Sequence, residues 1–302
     1  MSGNESIGAG AFAARYAELV EVRAARPQAI AEAAARRVRP PAPPGAAGPL
    51  MIIAADHPAR GALAAGPAPL AMGDRRDLLE RVCAALARPG VSGVLGTPDV
   101  IEDLLLLGAL DGKFAIGSMN RGGLAGAAFE IDDRFTAYTA AAIAAAGLDG
   151  GKMLLRLDLS DPATARTLES CAHAVTGLAG HGLMAMVEPF LSARRGDGRV
   201  GNLLTPEAMI KAIAIASGLG ATSARTWLKV PVVDRMEEVM AASTLPALLL
   251  GGEVTGDPGA ALAGWKAALA LPSVRGLVVG RTLLYPPDDD VAGAVDAAVG
   301  VL

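Results

Sequence analysis

The run TWLKVPVV, residues 226–233, is short, apolar and β-prone, yet it carries Lys229 in its interior. Seven further runs of this kind occur along the chain, each followed by Gly, Asp or Pro and then by an Ala- and Leu-rich helical stretch. They are LMIIAAD (50–56), VSGVLG (91–96), FAIGSM (114–119), KMLLRLD (152–158), LMAMVEP (183–189), PALLLGG (246–252) and RGLVVG (275–280). Near-continuous apolar strands that alternate with helices are typical of a parallel sheet covered on both faces. Eight such units predict an α/β fold of the (β/α)8 barrel type, the TIM barrel.

A doubly wound open sheet is the alternative fold. It is disfavoured because no apolar run leads into a G-x-G-x-x-G turn at a helix start, and GSMNRGG (117–123) lacks the spacing. Before the first run, FAARYAELVEVRAARPQAIAEAAARRVR (12–39) has helical periodicity with one break at Pro27, and PPAPPGAAGP (40–49) is a Pro/Gly linker. We therefore expect residues 1–48 to form an N-terminal helical extension with its linker, and residues 49–302 to form the barrel domain.

The composition narrows the class of protein. The chain has 302 residues, 52% of them hydrophobic and 19% charged, which is typical of a globular protein with a large core. A net charge of −4 without a basic stripe gives no sign of nucleic-acid binding. The start MSGNESIGAG lacks a basic segment followed by an apolar run, and no apolar window is long enough for a membrane span. We expect a soluble, cytoplasmic protein, with Ala-rich helices and an extension suited to homo-oligomer contacts.

Polar residues gather at the carboxyl ends of the predicted strands, where barrel enzymes place their chemistry. These residues are Asp56 and His57; Lys152, Arg156 and Asp158; Glu188; Lys229; Gly251, Gly252 and Glu253; and Gly280 with Arg281. Each of them alone is explained by a turn, a helix cap or a salt bridge. Their occurrence together on one predicted rim favours a functional site.

Lys229 is the centre of this hypothesis. Only five of the 27 basic residues are lysines, so the chain does not use lysine as a general surface charge. Trp227, Lys229 and Pro231 share one face of the sixth run, and the alternate face is purely aliphatic and suits helix packing. We therefore expect Lys229 to point into the barrel rather than to extend outward between helices.

A buried lysine beside a second cation is suited to Schiff-base chemistry. Burial and the charge of Lys152, two strands away, are expected to lower the pKa of Lys229 and leave a nucleophilic amine. Glu188 lies on the intervening strand among apolar residues, and we expect its pKa to be raised for acid–base work. Asp56 is placed to accept a proton from a substrate hydroxyl or to hold that hydroxyl. The set fits retro-aldol cleavage, with the iminium as the electron sink.

The last two strands end in segments suited to binding phosphate. LLLGGEVTGD places Gly251 and Gly252 at a strand end, and VVGRTLL places Gly280 and Arg281 at the next. Backbone N–H groups beside glycine approach an anion closely, and the loops after the seventh and eighth strands are the usual phosphate site of this fold. A tight turn into a helix is the structural alternative for the paired glycines.

The order of these motifs resembles the class I, Schiff-base-forming sugar-phosphate aldolases, both the fructose-bisphosphate type and the bacterial tagatose-bisphosphate and sulfosugar-phosphate types. The resemblance covers roughly residues 50–285 and rests on AADHPARG, GKMLLRLD, MVEPF, WLKVPVV, LLLGGEVTGD and VVGRTLL. It implies a substrate-hydroxyl role for Asp56, a second lysine at Lys152, the acid/base at Glu188 and the imine at Lys229. It also implies phosphate binding by Gly251, Gly252, Gly280 and Arg281, and Arg156 is a further candidate for binding the substrate.

The resemblance implies a lyase that needs no cofactor and cleaves a phosphorylated ketose or keto-acid. The catalytic tyrosine of some archaeal-type relatives has no counterpart on the fourth to sixth runs, so Glu188 would serve as the acid/base. The segments GSMNRGGLAG and LSARRGDGRVGN match no substrate-specific pattern, and substrate choice would be made there. Similar bacterial branches take part in inositol breakdown, which suggests a substrate of the 2-deoxy-5-keto-gluconate 6-phosphate type.

Two other functions stay open at this point. A metal-dependent aldolase or isomerase needs several converging ligands, and the chain has only three histidines, His57, His173 and His181. His173 lies in a helical stretch and His181 in the turn before the fifth run, at the opposite end of the barrel. A catalytically inactive barrel that acts as a sugar-phosphate sensor or assembly subunit would keep Arg281 and the glycines but would not need Lys229 and Glu188.

Overall fold

The computed structural model describes residues 9–121, 123–196, 198–252 and 257–302. The strands are β1 (Leu50–Ala54), β2 (Gly93–Gly96), β3 (Phe114–Ser118), β4 (Gly150–Leu157), β5 (Met184–Arg194), β6 (Val200–Asn202), β7 (Thr226–Val230), β8 (Ala247–Leu250) and β9 (Val274–Val279). All except β6 pair in parallel around a closed barrel, in the order β1-β2-β3-β4-β5-β7-β8-β9, and β9 returns to β1. The predicted (β/α)8 barrel is confirmed, and its closure leaves no open sheet edge of the doubly wound kind.

Helices connect the strands and cover the outside of the barrel. They are α1 (Ala9–Ala25), α2 (Ala29–Arg36), α3 (Arg75–Leu86), α4 (Pro98–Leu106), α5 (Ala140–Ala145), α6 (Ala163–Gly180), α7 (Pro206–Ser217), α8 (Met236–Met240), α9 (Pro258–Leu269), α10 (Arg281–Leu284) and α11 (Val291–Val299). Short polar side chains begin several of them by accepting hydrogen bonds from first-turn N–H groups, as Asp74, Thr139 and Thr205 do. Within the described ranges, no helix is both long and apolar enough to cross a membrane.

Strand alternation divides the buried apolar residues into two cores. The larger core lies between the barrel and its helices. The smaller core fills the barrel interior with Leu50, Ile52, Ala54, Leu95, Ile116, Met184, Met186, Leu248 and Val278, and Phe114 and Trp227 pack against it. Because side chains two residues apart share one face of a strand, the inward position of Trp227 also turns Lys229 inward. The predicted orientation of Lys229 is confirmed.

The N-terminal segment lies against the barrel and crosses its amino-terminal end. Helix α2 packs against α4, and α1 contacts α3. Arg23 ties α1 to the barrel with ion pairs of 3.1 Å to Glu102 and 2.8 Å to Asp103. In the linker, a Cβ on Gly45 would lie 2.6 Å from the ring of Trp227. The linker backbone therefore passes directly beneath the inner core and covers it from below.

One strand was not predicted. Strand β5 continues past the barrel rim to Arg194 and forms an antiparallel ladder with β6, which pairs Ser192 with Asn202 and Arg194 with Val200. The fifth apolar run ends at 189, and the segment that follows it is expected to be a loop. This hairpin is only partly buried, so its side chains carry no apolar run that would have predicted it.

Candidate active site

Four ionisable side chains predicted from separate strands meet inside the barrel. Lys152 lies on β4, Glu188 on β5 and Lys229 on β7, and Asp56 lies two residues beyond the end of β1. All four are at least nine-tenths buried: Asp56 is 3% exposed, Lys152 3%, Glu188 8% and Lys229 4%. Strand β5, which carries Glu188, pairs with β4 on one side and with β7 on the other. Glu188 therefore lies between the strands that carry Lys152 and Lys229. The barrel thus brings together residues that are up to 173 positions apart in the chain.

The four groups form a continuous chain of ion pairs. Lys152 Nζ lies 3.0 Å from Asp56 Oδ2 and 2.7 Å from Glu188 Oε2. Lys229 Nζ lies 3.1 Å from Glu188 Oε1. Glu188 therefore bridges the two lysines with one oxygen for each, and Lys152 bridges the two carboxylates. Buried charges are tolerated when they are paired in this way.

The two lysines differ in their electrostatic surroundings. Burial lowers the pKa of Lys229 and the charge of Lys152 adds to this effect, so the pKa lies below its ordinary value although Glu188 and Asp56 oppose the shift. Burial also disfavours the charge on Lys152, but Asp56 and Glu188 together outweigh burial and raise the pKa of Lys152. Lys152 is thus held as a cation, and Lys229 is the lysine more easily deprotonated. The expected lowering of the Lys229 pKa is confirmed.

The expected raised pKa of Glu188 is wrong. Burial alone would raise it, but the charges of Lys152 and Lys229 outweigh burial and lower the pKa of Glu188 to about 2. The adjacent residue Val187 packs in the outer core, whereas the Glu188 carboxylate meets two ammonium groups from other strands. Glu188 is therefore ionised and accepts hydrogen bonds.

Asp56 is held as a carboxylate by its neighbours. Its Oδ2 accepts a hydrogen bond of 3.1 Å from Ser118 Oγ as well as the contact with Lys152. Burial would raise the pKa of Asp56, but the charges of Lys152, His57 and Lys229 lower it far below the ordinary value. The next residue, His57, brings its Nδ1 to 3.9 Å from Asp56 Oδ1.

The predicted phosphate-binding residues gather at the ends of β8 and β9. Gly251 follows β8, where a Cβ would lie 2.5 Å from Val279 Cγ1, and Gly252 has φ = +68°, a conformation that favours glycine. Gly280 follows β9, and a Cβ there would overlap the Ala54 carbonyl oxygen. The adjacent strands bring these glycines and Arg281 to one rim, but residues 253–256, which complete the first motif, lie outside the described part of the chain.

Arg156 does not join this rim. Its guanidinium is buried, forms an ion pair with Glu130 and donates hydrogen bonds of 3.2 Å to Gly123 O and 2.7 Å to Glu130 O. Asp133 lies 3.8 Å away. These donors hold the segment between β3 and α5 onto β4, and the role of Arg156 in binding substrate or phosphate stays a prediction. No sequence pattern predicts these partners, because they lie in an irregular loop.

Ser118 has no role in the sequence-based prediction, and His57 is considered there as a rim residue and a possible metal ligand. Ser118 ends β3 with its hydroxyl on Asp56, and His57 precedes a short 3-10 helix of residues Pro58–Arg60 beside Gly280. Strand alternation is a signal for Ser118, which shares the inward face of β3 with Ile116, but His57 lies beyond β1 and has no such signal. His173 lies within α6, and His181 follows it. Among the described residues, no three His, Cys, Asp or Glu side chains converge as metal ligands would.

Comparison with known proteins identifies one family and a wider fold relationship. A family model described as Cgl0159-like matches residues 48–299. Cgl0159 from Corynebacterium glutamicum (Brevibacterium flavum), known from a crystal structure, is 53% identical, with 95% of this chain and 96% of that chain covered and a TM-score of 0.92. No curated protein sequence matches the chain at a significant level.

Class I aldolases share the fold at much lower identity. A Schiff base-forming fructose-1,6-bisphosphate aldolase is 20% identical, with 90% of this chain and 99% of that chain covered and a TM-score of 0.61. An archaeal fructose 1,6-bisphosphate aldolase is 18% identical, with 90% and 98% covered and a TM-score of 0.62. At these identities the likeness is one of fold. The family model and the similarity to Cgl0159 both span nearly the whole barrel, and the chain therefore belongs to the Cgl0159-like family.

Proposed function

We propose that this protein is a class I aldolase that cleaves a phosphorylated ketose or keto-acid through an imine on Lys229. The observation that carries the proposal is the buried Lys229 ammonium, 3.1 Å from one oxygen of Glu188, whose other oxygen lies 2.7 Å from Lys152. A lysine with a lowered pKa, a carboxylate in contact with it and a second fixed cation are the groups that imine formation requires. The shared fold with Schiff base-forming aldolases supports the proposal.

Lys229 rather than Lys152 is the nucleophile. Its pKa is lowered, so the neutral amine that attacks a ketone costs less free energy there than at Lys152, whose pKa is raised. Lys152 is also held between two carboxylates, which leaves it less free to bond to carbon. Its fixed positive charge keeps the pKa of its neighbour low and stabilises negative charge on the substrate.

Glu188 is placed to carry protons during imine formation. Its Oε1 takes a proton from the Lys229 ammonium, and the neutral amine then attacks the ketone. A second proton passes from this nitrogen to the alkoxide oxygen, so a neutral carbinolamine forms and one of the two cations that lower the pKa of Glu188 is removed. The carboxyl is then a stronger base and keeps the proton. It delivers this proton to the departing hydroxyl of the carbinolamine, and the positive iminium that results lowers the pKa of Glu188 again. The same carboxylate therefore serves as base and acid in sequence.

The iminium then accepts the electrons of the breaking carbon–carbon bond. The hydroxyl on the far carbon loses its proton to a base at the mouth and becomes the carbonyl of the released aldehyde. The donor half remains as a neutral enamine on Lys229, gains a proton at carbon and is hydrolysed to the ketone product. Gly251, Gly280 and Arg281 lie at the rim where a phosphate on the donor half would be held.

Borohydride trapping tests the proposal. We would incubate the protein with dihydroxyacetone phosphate, reduce it with sodium borohydride, digest it and locate the adduct by mass spectrometry. The proposal expects a stable adduct on the peptide that contains Lys229, and an adduct on Lys152 would reverse the roles of the two lysines. Lys229→Met is the control, since it keeps the length of the side chain and should give neither adduct nor cleavage.

Substrate choice is tested separately on the wild-type protein. Fructose 1,6-bisphosphate, tagatose 1,6-bisphosphate and 2-deoxy-5-keto-gluconate 6-phosphate would be assayed for release of their aldehyde or semialdehyde halves. Cleavage that depends on Lys229 supports the proposal for that substrate. If neither dihydroxyacetone phosphate nor pyruvate gives an adduct and no substrate is cleaved, the aldolase proposal is wrong.

A further inference from the structure

His57 occupies a position at the mouth that the roles given above leave unused. Its side chain is 23% exposed, while its Nδ1 is buried without a hydrogen-bond partner and lies 3.9 Å from Asp56 Oδ1. The ring packs against the backbone of Gly280, where a Cβ would lie 2.8 Å from His57 Cε1. The imidazole is thus fixed between the ends of β1 and β9, on the same rim as Arg281.

Asp56 is poorly suited to take a proton from a substrate hydroxyl. One of its oxygens already accepts from Ser118 Oγ and Lys152 Nζ, at 3.1 Å and 3.0 Å. The nearby cations also hold its pKa far below the ordinary value, so protonated Asp56 would be a strong acid. A carboxylate in this setting orients its neighbours and stabilises positive charge, but it seldom carries a proton.

The charge of Asp56 selects the tautomer of His57. A proton on Nδ1 faces the carboxylate, whereas a lone pair there would face negative charge, so the Nδ1–H form is favoured. Nε2 then carries the lone pair, and among the described residues no group hydrogen-bonds to it. Distances of this kind commonly shorten when substrate binds. The arrangement is that of a carboxylate which orients a histidine for proton transfer.

We propose that His57 Nε2, oriented by Asp56, is the base that removes the hydroxyl proton when the carbon–carbon bond breaks. This inference rests on the proposed aldolase function. The O–H electrons form the new carbonyl, the electrons of the broken bond reduce the iminium on Lys229 to a neutral enamine, and the proton is held on His57 beside the Asp56 carboxylate. The imidazolium afterwards loses this proton to water at the open mouth. Asp56 is then a positioning residue.

Four charged groups face His57, and they make its basicity change during the reaction. Burial lowers the pKa of His57 to about 4, with Arg281, Lys229 and Lys152 lowering it and Asp56 raising it. The imidazole is therefore neutral at pH 7 and ready to accept a proton. When the iminium on Lys229 becomes a neutral enamine, one of the cations that lower the pKa of His57 is removed. The base becomes stronger at the moment when it receives the proton.

The test separates imine formation from bond cleavage. We would compare wild type, His57→Ala and His57→Gln with fructose 1,6-bisphosphate as the probe, and measure borohydride trapping on Lys229 and the rate of aldehyde release. The imine forms before the hydroxyl proton moves, so both variants should trap as wild type does. Cleavage should fall by about 10²–10⁴-fold, the usual contribution of a general base. Added imidazole should restore part of the rate to His57→Ala and none to Asp56→Asn.

Each outcome decides between the two proposals. Wild-type protein that cleaves none of the three candidate substrates, and gives no adduct with them, with dihydroxyacetone phosphate or with pyruvate, refutes the aldolase function itself. If wild type cleaves and the His57 variants cleave at the same rate, the aldolase function stands and the role of His57 is wrong. Loss of trapping together with loss of cleavage in a His57→Gln variant of unchanged thermal stability also overturns it, because His57 would then act before the bond breaks.

Discussion

Replacing Lys152 with methionine should destabilise the protein far more than replacing Lys229 with methionine, although both changes remove one buried ammonium. Lys152 contacts Asp56 at 3.0 Å and Glu188 at 2.7 Å, so its loss leaves Asp56 buried without an ammonium partner. Removing one partner from a buried ion pair costs about 3–5 kcal/mol, because the remaining charge is uncompensated. We expect Lys152→Met to lower the free energy of unfolding by about this amount at pH 7.

Lys229→Met has a different expected result. Glu188 keeps its contact with Lys152, and the ammonium that is lost has a pKa lowered mainly by burial. A substitution of similar volume that leaves no charge unpaired should lower the free energy of unfolding by less than about 1.5 kcal/mol. The two variants are therefore matched in charge and volume, and they differ in whether a carboxylate is left without an ammonium partner.

The pH dependence gives a second readout. In wild type the lowered pKa of Asp56 contributes stability that is present above the unfolded value, and this stability is lost as pH falls through the folded value. Without Lys152 the largest of the charges that lower the pKa of Asp56 is lost, so that pKa should rise and this contribution should shrink. The deficit of Lys152→Met should therefore be largest near neutral pH and should narrow as pH falls below the unfolded value of about 3.9. Urea unfolding across this range measures both variants, and equal stabilities at pH 7 would refute the reasoning.

Four further substitutions have expected outcomes. Glu188→Gln keeps the shape of the side chain but not its proton transfer, and should slow cleavage by about 10²–10⁴-fold in a coupled aldehyde assay; a smaller effect would remove Glu188 as acid/base. Gly280→Ala places a methyl group against the Ala54 carbonyl, and should lower the thermal midpoint, whereas an unchanged midpoint would show that the strand ends can separate. Arg156→Met should lower the thermal midpoint without changing inhibition by inorganic phosphate. Arg281→Met should weaken inhibition by inorganic phosphate without changing the thermal midpoint. Weaker phosphate inhibition in Arg156→Met would support its predicted role in binding.

The barrel was predictable because its eight strands are buried on both faces. Such strands are apolar without interruption, and every one of the eight observed barrel strands overlaps a predicted run. The strand β6 was not predictable in this way because it pairs beyond the rim, where one face meets water. The placement of Lys229 followed from alternation on β7, since Trp227 two residues before it enters the inner core.

The clustering of Asp56, Lys152, Glu188 and Lys229 was easier to predict than their protonation. Glu188 and Lys152 are far apart in sequence, and the residues next to each of them indicate only that it is buried. Their pKa values depend on distances between strands, which the barrel sets and the sequence does not express. Arg156 illustrates the same limit, because its partner Glu130 comes from an irregular loop with no pattern to place it.

The covered amino-terminal end of the barrel limits the route by which water can enter and leave the site. Leu50, Ile52 and Met186 are 0–4% exposed beneath the site, and the linker passes below Trp227, so the described residues leave the mouth as the route for solvent. If the proposed imine forms on Lys229, the water that it expels leaves by that mouth past the bound substrate, and the water that hydrolyses the imine enters by the same way. In ¹⁸O-labelled solvent, a ketone oxygen that acquires label more slowly than the enzyme turns over would show that the expelled water is retained and used again.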